Sequence, residues 1–156
     1  MRVFLVRHAQ AIEAGPRRSD EARFLTPDGR ATARKVGARL AEEGMRFDAV
    51  LTSPLVRAVQ TAELMAQSIG FAGVVESFFA LAPGAPPRLV AEELASHGQA
   101  VAVFGHEPTI SALGAFLTGQ PSFPPFRPGQ VVLLERGIPQ WAIRPDSLEK
   151  VEVRVS

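Results

Sequence analysis

The sequence predicts an α/β protein built as a three-layer sandwich, with helices on both faces of a mixed and mostly parallel β-sheet. Three observations lead to this prediction. Short apolar segments of strand length alternate with longer segments whose apolar residues recur at helical spacing. The segments 2–6 and 100–104 are nearly all apolar, which is typical of buried strands. Near the C-terminus, 131–135 and 140–144 follow each other closely, which favours an antiparallel pair that closes the sheet.

The first strand is expected over residues 2–6, and a polar connection follows over residues 9–25. A connection of that length is uncommon unless it has a function. Thr26 and Pro27 match the preferences of a helix N-cap and first helical position, so a helix is expected to start there. Its apolar residues recur at helical spacing, and Gly44 is predicted to end it.

The second strand is predicted at residues 48–52. Ser53 and Pro54 form another candidate pair of N-cap and first helical residue. The helix behind them carries an apolar stripe that reaches Ile69. Residues 73–76 have the composition of a short edge strand.

The second half of the chain repeats the alternation of helix and strand. A turn-rich connection leads into a helix near residues 88–97, and the third strand follows at 100–104. A further helix is expected to start close to Pro108. Residues 119–129 are rich in proline and glycine and are predicted to form a loop. The tail 149–155 alternates polar and apolar residues, so it is expected to add an edge strand.

Composition limits the possible functions. The length of 156 residues suits one core, so residues 1–156 are interpreted as a single domain. A net charge of +1 provides no field over the whole molecule that would attract nucleic acid or an anionic membrane. The chain has no cysteine, which excludes disulfides, thiolate zinc sites and cysteine nucleophiles.

The sequence also gives an expectation about location. No apolar stretch approaches the roughly 20 residues that a membrane span needs. The N-terminus lacks the apolar region and cleavage site of a signal peptide. A cytoplasmic protein is therefore expected, and the oligomeric state is left open.

Three predicted strands end in polar signatures. The first ends in Arg7 and His8, the second is followed by Arg57 one helical turn later, and the third leads into His106. Ligands of open α/β sheets bind outside the carboxyl ends of the strands. If the three strands are parallel neighbours, two arginines and two histidines meet there. Guanidinium groups match phosphate oxygens in pairs, so phosphate is the first candidate ligand.

Four segments together resemble the histidine phosphatase superfamily, which has the phosphoglycerate-mutase-like fold. Leu-Val-Arg-His-Ala at 5–9 is similar to its Arg-His-Gly signature, and 52–62 is similar to its second arginine motif. Gly-His-Glu-Pro at 105–108 is similar to its second histidine motif. The segment 23–29 resembles the stretch in which an arginine precedes Leu-Thr and a glycine. The short length and the Gly-His-Glu-Pro form most resemble the small phosphohistidine phosphatases of that superfamily.

The resemblance implies a role for each matched residue. His8 would be the nucleophile and would carry a phosphohistidine intermediate. Arg7, Arg57 and His106 would hold the phosphoryl oxygens and stabilise charge in the transition state. Arg23 would add a contact to the phosphate or the substrate. No metal and no cofactor are implied, because cationic side chains take the role that Mg²⁺ has in other phosphoryl-transfer enzymes.

Ser53 and Glu107 complete the predicted substrate-binding residues, and each has a second interpretation. Ser53 would offer a hydroxyl or N–H group at a helix start, or it serves only as the N-cap. Glu107 would lie close to the substrate beside His106, or it is a charge that complements the helix dipole.

Two departures from the family pattern affect the expected chemistry. Ala9 stands where a glycine usually follows the histidine, and we expect alanine to be tolerated there. Larger members carry a glutamate after the middle strand, whereas the comparable residues 77–83 contain no carboxylate. General acid catalysis contributes about 10²–10⁴-fold, so its loss favours a phosphoramidate or aryl phosphate over a sugar phosphate. Carboxylates that remain as substitutes are those of Asp20, Glu21, Glu76 and Glu107.

Three functions are consistent with these residues. The leading hypothesis is a metal-independent phosphatase that acts through phospho-His8 on phosphohistidine in a protein. The second is a phosphomonoesterase for small organic phosphates. The third is a non-catalytic module that binds phosphate, which Ala9 and the missing acid favour and the intact His8 opposes.

Overall fold

The computed structural model describes residues 1–155, which contain seven β-strands and four α-helices. The strands are β1 (Arg2–Arg7), β2 (Ala49–Thr52), β3 (Val75–Ser77), β4 (Ala100–Gly105), β5 (Val131–Glu135), β6 (Ile138–Ile143) and β7 (Lys150–Val151). The helices are α1 (Pro27–Glu42), α2 (Val56–Ile69), α3 (Pro87–Leu94) and α4 (Thr109–Thr118). None of the helices in this part of the chain is long and apolar enough to cross a membrane.

All seven strands form one mixed sheet in the order β3-β2-β4-β1-β5-β6-β7. The pairs β1–β4, β2–β4 and β2–β3 are parallel, and β5, β6 and β7 continue the sheet as antiparallel neighbours. Five of the seven strands therefore run in the same direction. Arg7 lies opposite Gly105, and Thr52 lies opposite Phe104. This register brings the carboxyl ends of β1, β2 and β4 to one place, which we call the carboxyl edge.

Helices cover both faces of the sheet, as the sequence predicts. Alternate side chains of β1 divide between two core clusters, so that Phe4 faces one cluster and Leu5 faces the other. Residues of α1 and α2 complete the first cluster, and residues of α3 and α4 complete the second. Burial of each large apolar side chain contributes roughly 1.5–3 kcal/mol. The three-layer α/β sandwich is therefore confirmed.

The start of α1 agrees with the prediction. Thr26 is the N-cap, and its hydroxyl accepts a hydrogen bond from the N–H of Gly29 at 3.0 Å. Pro27 occupies the first helical position, where its missing N–H costs nothing. The helix ends at Glu42, two residues before the predicted Gly44.

The predicted start of α2 is wrong. The helix begins at Val56 with Leu55 as its N-cap, so Ser53 and Pro54 lie before it. The Ser53 hydroxyl accepts the N–H of Leu55 at 3.3 Å in a short turn. A second bond, to His106, uses the same hydroxyl. Long-range pairing across the sheet therefore takes the serine away from the capping position that its local sequence favours.

The remaining boundaries differ from the predictions by small amounts. The helix expected near 88–97 is α3 followed by a 3₁₀ turn at Ala95–His97. The tail contributes only the two-residue strand β7, because after Val151 no further pairing with β6 occurs in the described residues. Residues 9–25 contain no helix or strand, only isolated bridges such as the one between Ala11 and Leu25.

Candidate active site

Strand β1 brings Arg7 and His8 to the carboxyl edge. The His8 N–H donates to the Gly105 carbonyl of β4 at 3.0 Å. From the other side, the N–H of Gly129 donates to the carbonyl oxygens of Arg7 and His8 at 3.1 and 3.0 Å. Gly129 has a φ of 88°, a conformation that glycine adopts without strain. The backbone around the two side chains is therefore fixed by both neighbouring segments.

The His8 ring is held as the tautomer that a nucleophile requires. Its Nδ1 lies 2.7 Å from the Ala9 carbonyl oxygen, which can only accept, so Nδ1 carries the hydrogen. The Nε2 atom of the neutral ring then keeps its lone pair. Burial, together with the positive charges of Arg57 and Arg7, lowers the pKa of His8 to about 4. His8 is therefore neutral at pH 7.

His106 lies beside His8, with the two ring centroids 5.1 Å apart. Its Nε2 shares a hydrogen bond of 2.7 Å with the Ser53 hydroxyl. Burial lowers the pKa of His106 to about 3, with smaller contributions from His8 and Arg57. The structure thus brings Ser53 into the cluster through His106 and not through a helix terminus.

Arg7 and Arg57 place two guanidinium groups in the same cluster. Arg57 is 4% exposed and donates to the backbone oxygen and carboxylate of Asp20 at 2.8 and 3.1 Å. Arg7 donates to the Phe126 carbonyl at 2.7 Å. Burial lowers the pKa of Arg7, and the Glu107 carboxylate opposes that shift. Arginine remains protonated at physiological pH, so both groups are cations.

Three buried nitrogen atoms of this cluster have no hydrogen-bond partner among the described residues. They are Nε of Arg7, Nε of Arg57 and Nδ1 of His106. Buried polar atoms are nearly always hydrogen-bonded in folded proteins, so three exceptions in one cluster indicate a ligand site. Two of the three belong to permanent cations, so the ligand they fit is an anion.

Arg23 joins the cluster from the 9–25 connection. Its Nε donates to the Ile12 carbonyl at 2.7 Å, and its Nη1 donates to Asp20 at 3.1 Å. Arg23 and Arg57 therefore share one carboxylate. The charge of Arg23 also contributes to the lowered pKa of His8, which places Arg23 near the His8 ring.

Glu107, which is predicted to contact substrate, uses both of its carboxylate oxygens for contacts within the protein. One carboxylate oxygen accepts the N–H of Ser111 at 3.0 Å, and the other accepts the N–H of Phe126 at 3.0 Å. Since the Phe126 carbonyl accepts from Arg7, Glu107 holds the segment that orients Arg7. The Glu107 carboxylate therefore links the start of α4 to the segment that contacts Arg7.

Two further carboxylates that the sequence offers as substitutes for a general acid, those of Glu76 and Asp20, also have partners within the protein. Glu76 pairs with His97 at 3.6 Å. A hydrogen bond from Arg23, and further ones from Arg57, hold the pKa of Asp20 below its usual value. Asp20 is therefore ionised at pH 7 and has no proton to donate.

Sequence reasoning missed Thr61, which supports the site from α2. Its hydroxyl accepts the N–H of Ala9 at 3.0 Å and donates to the Arg57 carbonyl at 2.8 Å. Thr61 thereby links Ala9, the residue after His8, to the helix that carries Arg57. Its position four residues after Arg57 is the one signal that pointed to it. Among the non-glycine residues described, only Arg136 and Leu148 have a positive φ, so alanine at position 9 is tolerated as expected.

The described residues contain no group of three or more His, Cys, Asp or Glu side chains that would hold a metal ion. What they contain is an anion site at the carboxyl edge, with two neutral imidazoles and two guanidinium groups. An α/β protein with this site is suited to bind a phosphoryl group.

The sequence model of the histidine phosphatase superfamily (branch 1) matches residues 3–78, which is just under half of the chain. The matched region contains Arg7, His8, Arg23 and Arg57. Among curated relatives, the mitochondrial serine/threonine-protein phosphatase Pgam5 of Drosophila mojavensis is 39% identical over 85 residues. That match covers 54% of this chain but 29% of the relative, so the chain spans less than a third of its length.

Solved structures match nearly the whole chain. The protein histidine phosphatase SixA complexed with tungstate has a TM-score of 0.84 and 28% identity. The match covers 96% of this chain and 100% of SixA, and it therefore includes the second histidine motif. SixA from Agrobacterium tumefaciens has a TM-score of 0.72 and 26% identity, with 86% of this chain and 90% of that protein covered. Both likenesses support the predicted small phosphohistidine phosphatase branch.

Proposed function

We propose that this protein is a metal-independent phosphatase that forms a phosphohistidine intermediate on His8. One observation carries the proposal. A neutral buried imidazole, with Nδ1 held by the Ala9 carbonyl, lies among guanidinium groups whose Nε atoms have no partner in the described residues. Tungstate, named in the SixA complex, is a tetrahedral oxyanion like phosphate. An anion site that includes a nucleophile suits transfer of a phosphoryl group.

In the first step, the Nε2 lone pair of His8 attacks phosphorus. The bond between phosphorus and the leaving group breaks, and the leaving group keeps the electron pair. The N–H groups of Arg7 and Arg57 donate to the phosphoryl oxygens, whose charge is spread in the transition state. Fixed donors of this kind typically contribute about 10²–10³-fold each.

We propose that the His106 ring is uncharged and donates a hydrogen bond to the phosphoryl group. The Ser53 hydroxyl can donate to Nε2 while it accepts the N–H of Leu55. The hydrogen of the neutral His106 ring then lies on Nδ1, the atom that has no partner in residues 1–155. Ser53 would thus set the tautomer of His106, and Nδ1 would donate to a phosphoryl oxygen.

In the second step, water attacks the phosphorus of phospho-His8. The bond between phosphorus and Nε2 breaks, the ring regains its lone pair, and inorganic phosphate forms. The proton of the water passes to a phosphate oxygen or to solvent. The neutral ring at pH 7, which follows from its lowered pKa, is then ready for the next cycle.

We propose phosphohistidine in a protein as the substrate. Residues 77–83, at and after the end of β3, offer no carboxylate to protonate a leaving group. An imidazole leaving group needs less help from a general acid than an alkoxide does. The SixA names point to the same substrate class. Because residues 77–83 supply no general acid, a phosphoramidate is a more suitable substrate than a sugar phosphate.

The experiment compares three substrates and three proteins. Wild type, His8→Ala and the control His97→Ala are assayed with p-nitrophenyl phosphate, with a sugar phosphate and with a protein phosphorylated on histidine. We expect His8→Ala to lose all turnover, and His97→Ala to keep the turnover of wild type. Turnover by His8→Ala would overturn the mechanism. Efficient turnover of sugar phosphates alone would replace the proposed substrate by small organic phosphates.

We further propose that residues 1–156 act as one domain in the cytoplasm, without nucleic acid or membrane as partner. A single cooperative unfolding transition is expected for one domain. Cell fractionation tests the location, and a second unfolding transition or a membrane-bound pool would contradict this part of the proposal.

A further inference from the structure

Asp20 contacts two of the cationic side chains at the carboxyl edge. One carboxylate oxygen accepts from Nη2 of Arg57 at 3.1 Å, and the other accepts from Nη1 of Arg23 at 3.1 Å. The backbone oxygen of Asp20 also accepts from Nη1 of Arg57 at 2.8 Å. One residue of the 9–25 connection thus binds both guanidinium groups.

These contacts involve a buried cation and a more exposed anion. The Arg57 side chain is 5% exposed, whereas that of Asp20 is 54% exposed. A buried charge is costly unless it is paired. Within residues 1–155, Asp20 supplies the one carboxylate within 4.0 Å of Arg57. Asp20 therefore compensates the charge that the site buries for its ligand.

The geometry also fixes which part of Arg57 is left for a ligand. Asp20 binds at both Nη atoms, while Nε has no partner in the described part of the chain. A guanidinium group has five N–H donors in a rigid plane. Holding two of them orients the plane and leaves the others, including Nε–H, for phosphoryl oxygens.

The charge of Asp20 has a second consequence. Hydrogen bonds from Arg23 and Arg57 keep the pKa of Asp20 low, so it is a carboxylate at pH 7. A carboxylate beside an anion site repels phosphate. Phosphate is the product of the proposed reaction, and a site with only cations would release it slowly.

We infer that Asp20 is a positioning residue, which orients Arg57 and Arg23 and weakens the affinity of the site for inorganic phosphate so that product leaves. The part on product release rests on the proposed function. The part on phosphate affinity rests only on the contacts and charges described above.

The test compares Asp20→Asn, Asp20→Glu and the control Glu13→Gln, all in the full chain. Asparagine keeps a hydrogen-bond acceptor and loses the charge, whereas glutamate keeps the charge and moves it. Glu13 is an exposed residue of the same 9–25 connection and forms no ion pair within residues 1–155. Calorimetry with inorganic phosphate gives Kd, and p-nitrophenyl phosphate gives kcat.

We expect Asp20→Asn to bind phosphate about three- to tenfold more tightly at low ionic strength, because a repelling charge is removed. The difference should shrink in about 1 M salt, since the carboxylate is solvent-accessible and is screened. Its kcat should fall about tenfold, because the arginines lose their charged acceptor. Asp20→Glu should keep Kd within about twofold of wild type, and Glu13→Gln should change neither constant.

Phosphate binding that is unchanged or weaker in Asp20→Asn would overturn the inference about affinity. An unchanged kcat in Asp20→Asn would overturn the inference about positioning. If wild type hydrolyses no phosphate compound, the proposed function fails, and the comparison of Kd values still decides the role of the Asp20 charge.

Discussion

The parallel part of the sheet (β1 to β4) and the antiparallel part (β5 to β7) differ in the kinds of side chain that they bury. All buried polar or charged side chains in the described residues lie in or beside the parallel part: His8, Thr52, Ser53, Arg57, Thr61, His106 and Thr109. In 119–155, every buried residue is apolar or glycine. Ion pairs there lie on the surface, such as the one between Arg127 and Asp146, whose side chains are 60% and 57% exposed.

The parallel part of the sheet therefore holds the candidate active site, and the antiparallel part holds that site in position. Burying a polar group costs free energy unless it has a partner, and the parallel part keeps three such groups without one. The antiparallel part and the loop before it provide fixed backbone groups instead. The Phe126 carbonyl orients Arg7, and the Gly129 N–H holds the β1 terminus. The fold tolerates the free-energy cost of these unpaired polar groups because the neighbouring segments bury only apolar residues or glycine.

The largest effect is expected from removing a buried guanidinium. Arg57→Ala should lower kcat/KM for p-nitrophenyl phosphate by about 10²–10³-fold, because a fixed donor to the phosphoryl oxygens is lost. The matched control is Arg144→Ala, which removes an exposed arginine from the antiparallel part and should leave kcat/KM unchanged. Equal losses in both variants would remove the distinction between the two parts.

The buried histidines should make the fold sensitive to acid. Their folded pKa values, about 4 for His8 and about 3 for His106, lie below the ordinary value of 6.5. The folded protein therefore binds fewer protons than the unfolded chain, so stability is present above about pH 6.5 and is lost as pH falls towards these values.

At pH 4 this loss amounts to roughly 3 kcal/mol for His106. Urea unfolding at pH 7 and pH 4 measures it. His106→Asn should lose less stability than wild type between the two pH values, and the control His97→Asn should behave as wild type. Equal losses in wild type and His106→Asn would contradict the buried neutral state of His106.

A smaller effect is expected from Thr61→Val, which keeps the shape and removes the hydroxyl. The N–H of Ala9 then loses its acceptor, at a cost of about 1–3 kcal/mol in the free energy of unfolding. The kcat should also fall, since the residue after the nucleophile is released. The control is Thr118→Val, which also removes a threonine hydroxyl that forms a hydrogen bond, here near the end of α4. This variant should leave kcat unchanged. Full kcat in Thr61→Val would show that this contact does not position His8.

The smallest effect is expected on the surface of the antiparallel part. Asp146 pairs with Arg127 and Arg144 at 3.4 and 3.6 Å, and all three side chains are exposed. Exposed ion pairs contribute little to stability. Asp146→Asn should change neither the melting temperature nor kcat/KM measurably. A clear loss of activity would extend the functional site into the antiparallel part.

The sequence predicted the elements of the site that depend on local patterns. Arg7 and His8 follow an apolar strand directly, and His106 follows another, so the ends of the strands located them. Arg57 was predicted from its place one helical turn after the end of the second strand, and it lies at the second residue of α2. Such signals need only a few neighbouring residues, and the strand register then aligns them as expected.

Other features depend on contacts between distant segments. Ser53 has the local sequence of an N-cap, but its partner is His106, 53 residues later. Glu107 resembles a helix-terminal charge, yet one of its oxygens fixes Phe126. Asp20 lies in an irregular connection, where no periodicity indicates that it meets Arg57, 37 residues away. Tertiary contacts of this kind leave no periodic trace in a sequence.

The central claim is that His8 carries the phosphoryl group. The most direct measurement is rapid quenching of the wild-type enzyme during turnover of a radiolabelled phosphohistidine protein, followed by peptide mapping. We predict an acid-labile, alkali-stable label on the peptide that contains His8, and no label in His8→Ala. Turnover in wild type with the label on another residue, or with none on His8 at any quench time, would contradict the account.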